Sequence, residues 1–246
     1  MGRRKARRKA GKPRINVALN MTYRCNRRCK YCDRFCDSLD QPDSDVTWDG
    51  ILQFVEQIKS SQYRVCKIAL TGGEPTLHPR FDDITKLIDD ELVKTGIVGR
   101  CRMATNKTNA YVLPAGWTVY GRYRKFHVPF GVSPKDMGIA PVELPTRCVI
   151  QDNCGIGYDF RGWSFCQSAP NLGRVLGIDT HHDGIWVERD KRICDHCVYV
   201  LGEDGRHQFD SPVKCHQCIC PSPTIAAGLL ADECLFPEVR TRLAEA

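Results

Sequence analysis

Predicted strands and helices alternate along the first half of the chain, and this order limits the fold more than any other feature. The apolar segment 15–21 predicts a strand, and the helical spacing of apolar residues over 51–58 predicts a helix. The segments 67–70 and 81–94 repeat this order, and 100–104 predicts a third strand. Such alternation is typical of a parallel sheet with crossover helices, in which functional groups lie at the carboxyl ends of the strands.

Each predicted strand ends at residues that can bind a ligand. Cys25 follows the first strand, Gly72 ends the second, and Asn106 follows the third. A further candidate strand over 127–132 ends before Ser133. In a parallel sheet, these four residues lie at the same edge.

Three cysteines directly after the first predicted strand form the pattern C-x3-C-x2-C: Cys25, Cys29 and Cys32. Such thiolates bind zinc, a closed iron–sulfur cluster that also uses Cys36, or a 4Fe–4S cluster with one open iron. About forty residues later, the second strand runs into Gly72-Gly73-Glu74-Pro75. A glycine pair at a strand end allows close approach to the backbone, which neither zinc nor electron transfer requires. The two motifs together therefore favour the open cluster.

These motifs resemble those of the radical S-adenosylmethionine (radical SAM) enzymes, in the forms C-N-R-R-C-K-Y-C and G-G-E-P. The resemblance implies a 4Fe–4S cluster whose open iron is chelated by S-adenosylmethionine. Reduction cleaves this cofactor to a 5′-deoxyadenosyl radical, which removes a hydrogen atom from the substrate. The resemblance also implies a reductant such as flavodoxin or ferredoxin. The implied fold is α/β, a partial (β/α) barrel of the radical SAM type; we expect it to be abbreviated or irregular, because Pro114 and Gly116 interrupt the helix after Asn106.

The resemblance also implies the residues that bind the cofactor: Tyr31, Gly72, Gly73, Glu74, Asn106 and Ser133. The two glycines would meet its amino group through their backbone, and the glutamate would support their loop. The tyrosine would lie near the adenine, and the serine near the ribose or the carboxylate. Lys107 stands where the family has a glycine after Thr105-Asn106.

The second half of the chain is rich in cysteine, and we expect no helix there before 225–230. The segment 155–165 is flanked by cysteines and resembles the hairpin that opens the auxiliary-cluster regions called SPASM or twitch domains. The resemblance implies a small metal-binding region with a second 4Fe–4S cluster. Its ligands would be Cys154, Cys166, Cys194 and Cys197, with Cys148 as the substitute for Cys154.

A zinc ribbon is the competing interpretation of this region. The C-x2-C pair of Cys194 and Cys197 is followed, seventeen residues later, by a second pair, Cys215 and Cys218. A ribbon would be tetrahedral, closed and structural. Thiolates are suitable ligands for zinc and for iron–sulfur clusters, so both interpretations stay open.

The cysteine content indicates the cellular compartment in which the protein works. The chain has 15 cysteines in 246 residues and no secretory apolar segment, which favours metal-bound thiolates over disulfides. We therefore expect a cytoplasmic protein. No apolar run approaches the ~20 residues of a membrane helix, so we expect no membrane partner.

Basic residues are concentrated at the N terminus. The net charge is +7, and eight cations without an acid lie in the first 14 residues, so the remainder of the chain is close to neutral. Such tails are typically disordered and bind nucleic acid through counterion release. We expect three units: a basic tail (1–14), a radical SAM core (15–146) and a cysteine-rich auxiliary region (147–246).

Basic and aromatic residues also indicate a substrate class. Cations crowd the cysteine loop over 24–34, and three more alternate with tyrosines over 120–125. Such patches suit nucleotides through phosphate pairing and base stacking, so we expect modification of a nucleotide or a nucleic-acid base. The first alternative is a peptide or protein side chain modified by the same chemistry. The second is a non-enzymatic zinc-ribbon module that binds nucleic acid.

Overall fold

The structure is a computed structural model that describes residues 12–27, 34–36, 43–120, 148 and 150–194. Six strands form one sheet in the order β4-β3-β2-β1-β5-β6, and only β6 is antiparallel to its neighbour. The strands are β1 (Arg14–Thr22), β2 (Arg64–Gly72), β3 (Cys101–Ala104), β4 (Thr118–Tyr120), β5 (Ile156–Asp159) and β6 (Gly162–Ser164). The mixed, mostly parallel α/β sheet agrees with the predicted class, and closure into a barrel stays a prediction.

Four α-helices accompany this sheet in the described residues: α1 (Trp48–Lys59), α2 (Phe81–Ile88), α3 (Ala169–Leu176) and α4 (Lys191–Cys194). Thr47 caps α1 by accepting a hydrogen bond from Gly50 N. A 3₁₀ turn covers Pro75–Leu77, and π-helical turns cover Asp89–Val93 and Ile150–Cys154. The predicted helix over 81–94 is therefore α2 followed directly by a π-helical turn.

The expectation of no helix before 225 was wrong, because α3 lies within that stretch. Pro170 occupies its first turn, where the missing N–H requires no partner. Gly177, with φ of 67°, ends it in the left-handed conformation. Proline and glycine therefore mark the two ends of a helix in a stretch whose composition indicated loops.

The two faces of the sheet differ in polarity. On the outer face, Val17 and Leu19 are fully buried in a core that includes Phe54 of α1 and Ile84 of α2. Asn16, Ala18 and Asn20 alternate with them along β1. They pair with Lys67, Ala69 and Thr71 of β2. The other, inner face of the sheet therefore carries polar side chains, and Asn20, Lys67 and Thr71 among them are buried.

The β5–β6 hairpin extends the same sheet on the other side of β1. Val17 pairs with Ile156 in parallel register. Trp163 of β6 is fully buried and packs against the outer face, with ring centroids 5.4 Å from Phe54 and 4.9 Å from Tyr158. The segment that resembles an auxiliary-cluster hairpin thus shares its core with β1 and α1.

Candidate functional site

The carboxyl ends of β1 and β2 are joined beyond the regular strand pairing. Gly73 N donates to Thr22 O at 2.7 Å, and Glu74 N donates to Arg24 O at 2.9 Å. These two bonds continue the contact between the strands as far as the residue before Cys25. The first cysteine and the Gly-Gly turn are therefore held side by side, as the parallel sheet predicted.

The glycine pair is required by this contact between the strand ends. A Cβ atom at Gly72 would lie 2.2 Å from Thr22 O, and Gly72 has φ of 118°. A Cβ atom at Gly73 would lie 2.2 Å from Arg24 O. Real Cβ atoms do not approach oxygen so closely, so only glycine fits both positions.

Glu74 is fully buried and braces the edge of the sheet. Its Oε1 accepts from Thr76 N at 3.2 Å, from Thr76 Oγ1 at 2.8 Å and from Thr105 Oγ1 at 2.8 Å. Its Oε2 accepts from Asn106 N at 2.7 Å. One carboxylate thus ties the end of β2 to the end of β3, and its support of a cofactor-binding loop stays a prediction.

Asn106 reaches from β3 to the cysteine loop. Its Nδ2 donates to Asn26 Oδ1 at 2.8 Å and lies 3.8 Å from Cys25 Sγ. Lys107 follows with φ of 59°, a conformation that glycine adopts without strain. Lys107 therefore occupies a left-handed backbone position that glycine would fill at less cost.

Arg24 fixes the start of the cysteine loop from the outside. Its guanidinium forms a two-point ion pair with Asp45, with contacts of 3.1 and 2.6 Å. The same group donates to Leu77 O at 2.8 Å. Arg24 therefore links the loop to the segments before α1 and before α2.

Several predicted ligands lie outside the described residues: Cys29, Tyr31, Cys32, Ser133, Cys197, Cys215 and Cys218. Among the remainder, Cys25, the glycine turn, Glu74 and Asn106 come together at one edge of the sheet. Within the described ranges, no three cysteine, histidine or acidic side chains are arranged to hold a metal ion. Their roles as ligands therefore stay predictions.

The inner face supplies candidate residues that the sequence analysis did not identify. Asn20 is fully buried, and neither polar atom of its amide has a hydrogen-bond partner among the described residues. Its neighbour Thr71 accepts from Arg34 Nη2 at 3.3 Å, and Arg34 Nη1 donates to Gln167 O at 3.0 Å. The alternation of Ile15, Val17 and Leu19 with polar residues in β1 could have revealed this face.

A buried polar network lies beside this face. Tyr23 Oη donates to Asp159 Oδ2 at 2.9 Å, and Arg161 N donates to Asp159 Oδ1. His181 Nε2 lies 3.0 Å from Asp159 Oδ1 without forming a hydrogen bond. Burial and then the Asp159 carboxylate raise the pKa of Tyr23 well above its usual value, so the phenol keeps its proton.

Three predicted auxiliary ligands share a second apolar cluster. Cys148, Cys166 and Cys194 are each 6% exposed and pack with Phe35, and Cys154 packs against the same cluster. Arg174 of α3 donates to Arg34 O at 2.8 Å. The segment that follows the first cysteine motif therefore packs against the C-terminal cysteines.

His78 and Cys101 are buried side chains whose contacts are structural. His78 is buried: its Nδ1 accepts from Arg80 N at 3.1 Å, and its Nε2 lies 3.0 Å from Val46 O. Burial raises the pKa of the Cys101 thiol to about 12 and keeps it protonated within the core. Neither group therefore belongs to the candidate site.

Comparison with known proteins agrees with this geometry. Residues 19–119, less than half of the chain, match the family described as the radical SAM superfamily. The match supports this superfamily and an enzyme of radical SAM chemistry, without defining the net reaction. No helix among the described residues is long and apolar enough to span a membrane.

Whole-chain comparisons give only weak likenesses. No curated protein matches significantly. A crystal structure of BtrN in complex with AdoMet and 2-DOIA has a TM-score of 0.45 and 13% identity, and the alignment covers 66% of this chain and 77% of BtrN. A selenomethionine BtrN in an open conformation has a TM-score of 0.43 and 16% identity, with 88% and 97% covered. These values are too low to assign a function to this chain.

Proposed function

We propose that this chain holds a 4Fe–4S cluster through Cys25, Cys29 and Cys32, reductively cleaves S-adenosylmethionine and modifies a nucleotide or a nucleic-acid base. The observation that carries the proposal is the braced edge, where the Gly72–Gly73 turn, Glu74 and Asn106 surround the start of the cysteine loop. A structural zinc ribbon requires no such edge. The superfamily match over 19–119 supports the same chemistry.

The residues of this edge fit the expected cofactors. Three thiolates within eight residues are suitable ligands for a 4Fe–4S cluster and leave one iron open. The N–H groups of Gly73 and Glu74 donate to Thr22 O and Arg24 O, so the carbonyl groups of their turn would accept from the amino group of S-adenosylmethionine. Tyr31 would lie near its adenine, and Ser133 near its ribose or carboxylate.

Cluster and cofactor, when bound, supply the electron transfer and the 5′-deoxyadenosyl radical that removes a hydrogen atom from the substrate. The protein holds and orients these groups. Glu74 fixes the turn through its buried bonds, and Asn106 Nδ2 lies near enough to Cys25 Sγ to favour its thiolate form. The buried amide of Asn20, which has no hydrogen-bond partner among the described residues, would bind a polar group on the inner face.

We propose a second 4Fe–4S cluster in the C-terminal region, held by Cys154, Cys166, Cys194 and Cys197. Cys148 is the substitute ligand for Cys154. The shared cluster of buried cysteines supports a common site, and its packing against Phe35 would bring it near the first cluster. Zinc bound with Cys215 and Cys218 is the alternative.

The proposal of a nucleotide substrate depends on positive charge and on groups that can stack on bases. Arginines line the cysteine loop, and Arg34 extends a buried guanidinium to Thr71 on the inner face. Guanidinium groups pair with phosphates and stack on bases. A flavodoxin or ferredoxin would supply electrons, and a reducing cytoplasm would keep the thiols available for metal.

The decisive experiment compares wild type with Cys29→Ala and Cys66→Ala after anaerobic purification. Iron, sulfide and zinc would be counted, and 5′-deoxyadenosine would be measured after addition of dithionite and S-adenosylmethionine. We expect wild type and Cys66→Ala to form 5′-deoxyadenosine, and Cys29→Ala to form none. Zinc without iron, or equal yields from all three proteins, would refute the proposed chemistry.

A second experiment tests the substrate class. Deuterated single-stranded oligonucleotides and deuterated peptides would each be added to the reduced enzyme with S-adenosylmethionine. Deuterium in 5′-deoxyadenosine from an oligonucleotide alone supports the nucleotide proposal. Deuterium from a peptide alone would replace it with the peptide alternative.

A further inference from the structure

We propose that the amino edge of the sheet, opposite the cysteine loop, binds the phosphate groups of a nucleic-acid strand through Arg14, Arg64 and Arg100. This inference names the surface for the nucleic-acid partner of the proposed function, but it does not depend on the redox chemistry. The site is called the arginine pocket below.

The arginine pocket is a cavity of about 160 Å³ where β1 and β2 begin. Its lining contains the three arginines and no aspartate or glutamate: Arg14, Arg64, Val65, Cys66, Gly96, Ile97, Gly99 and Arg100. A water molecule takes about 30 Å³ in the liquid, so the cavity has room for a phosphate group.

The three charges are held close together by the sheet. Arg14 and Arg64 are direct partners in the parallel register of β1 and β2. Arg100 O accepts from Ile68 N at 3.1 Å, so the third arginine lies beside β2 on its other side. Like charges on facing residues of neighbouring strands oppose each other and destabilise the sheet.

No acidic side chain offsets these charges among the described residues, and none of the three arginines forms an ion pair there. Arg14 Nε instead donates to Cys66 Sγ at 3.0 Å, which fixes this side chain at the pocket. Positive charge is therefore in excess at this edge, and an anion would relieve it.

Two glycines, Gly96 and Gly99, are part of the lining of the pocket. A Cβ atom at Gly99 would lie 2.9 Å from Cys66 O, so the chain passes closely over the start of β2. Gly96 has φ of 74° and turns the chain toward it. Glycines thus leave the space that the arginines surround.

A nucleic-acid strand is the occupant that the charges favour. The sequence that leads into Arg14 carries seven further cations without an acid, so the pocket continues a basic tail. Guanidinium groups bind phosphate in a two-point geometry, and a strand offers a phosphate to each of several cations. The nine residues of β1 span eight steps of about 3.3 Å, so the two ends of the strand are roughly 26 Å apart, and the pocket lies at the end opposite the cysteine loop. Binding there would retain a strand without blocking the candidate active site.

The test measures binding of a fluorescein-labelled single-stranded DNA 15-mer to the anaerobically purified full chain at several salt concentrations. The triple variant Arg14→Gln, Arg64→Gln, Arg100→Gln should bind at least tenfold more weakly, with a salt slope shallower by about 2, since each phosphate contact contributes about 0.7. The control Arg80→Gln, Lys86→Gln, Arg192→Gln removes the same charge from other surfaces and should change both values much less.

Thermal unfolding is also measured in inorganic phosphate and in chloride at equal ionic strength. This comparison distinguishes a site for free phosphate from a site for the phosphates of a nucleic-acid strand. If phosphate stabilises only proteins with an intact pocket, and the triple variant also loses DNA affinity, the proposal stands. If phosphate stabilises the protein but DNA affinity is the same in wild type and the triple variant, the nucleic-acid assignment is wrong. Equal losses in the triple variant and the control would also overturn it. Formation of 5′-deoxyadenosine by the triple variant would show that the redox proposal stands independently.

Discussion

At the scale of single residues, the candidate site depends on one carboxylate. Glu74 is fully buried and accepts four hydrogen bonds from Thr76, Thr105 and Asn106. The two oxygens of a carboxylate group offer enough lone pairs to accept all four. Its position directly after the glycine turn makes this network the support for the turn at the end of β2.

We expect Glu74→Gln to lower the free energy of unfolding by about 1–3 kcal/mol, because an amide NH₂ would face a buried donor. It should also weaken binding of S-adenosylmethionine. Urea unfolding and equilibrium dialysis of the reconstituted protein measure the two effects. Glu56→Gln is the matched control, since the Glu56 side chain is 71% exposed and pairs with Lys59 at the surface. Equal stability losses in both variants would contradict the bracing role.

Gly73 gives a second prediction at this scale. In Gly73→Ala, the new methyl group would meet Arg24 O and force β1 and β2 apart next to Cys25. We expect a loss of about 1–3 kcal/mol in stability, together with lower iron content after reconstitution.

Gly184→Ala is the control for this prediction, because a Cβ atom at Gly184 meets nothing within 4 Å. Its stability should change by no more than about 0.5 kcal/mol. Urea unfolding and iron analysis of both proteins measure the effects. Normal iron content in Gly73→Ala would mean that the close contact between the strand ends is not needed for the site.

At the scale of elements, the β5–β6 hairpin connects the C-terminal region to the core. Trp163 packs on Phe54 and Tyr158, and its Nε1 donates to Gln57 of α1. Tyr158 Oη donates to Gly50 O at 2.8 Å, which makes a second link to α1. Because these contacts join elements from both predicted units, unfolding of the hairpin should be coupled to unfolding of the core.

We therefore expect Trp163→Ala to lower the free energy of unfolding of the whole described core by about 3–5 kcal/mol. Trp186→Ala should cost much less, since Trp186 is 38% exposed and stacks on His182 near the surface. Far-ultraviolet circular dichroism and the remaining tryptophan fluorescence would follow urea unfolding. Separate transitions for the two probes in wild type would show that the hairpin folds independently.

The elements also show why the sequence predicted one half of the chain better than the other. β1, β2 and α1 have clear apolar periods, because one face of each lies in the core. In α3, Pro170 and Gly173 hid the helix, although Ala169, Leu172 and Leu176 lie at helical spacing and pack in one cluster. The hairpin was expected from the resemblance to an auxiliary-cluster hairpin, but its pairing with β1 is a long-range contact that no local pattern encodes.

At the scale of the whole molecule, the two proposed sites lie at opposite edges of the sheet. The carboxyl edge joins Cys25 and Asn106, as the sequence predicted from where the strands end. The amino edge carries the arginine pocket, which the sequence did not predict because Arg14, Arg64 and Arg100 are far apart along the chain. The sequence also did not predict that the amide of Asn20 is buried without a hydrogen-bond partner among the described residues. Its burial depends on strands that are distant along the chain.

The stability of the whole molecule should also depend on pH through His78. This side chain joins the segment before α1 to the start of α2, through Val46 O and Arg80 N. Burial is the largest cause that lowers its pKa below the usual value of 6.5. Arg80 N donates to Nδ1, so Nε2 carries the proton and protonation of Nδ1 would break the bond.

The unfolded chain therefore binds a proton at His78 more readily than the folded chain does. The stabilising contribution is complete above about pH 6.5 and is lost as the pH falls through the lower folded pKa. His78→Gln removes this titration and keeps a donor for Val46 O, so its unfolding midpoint in urea should fall less steeply between about pH 7 and pH 5. Carboxylates that titrate in both proteins cancel in the comparison. Identical slopes for the two proteins would show that the buried imidazole does not control acid stability.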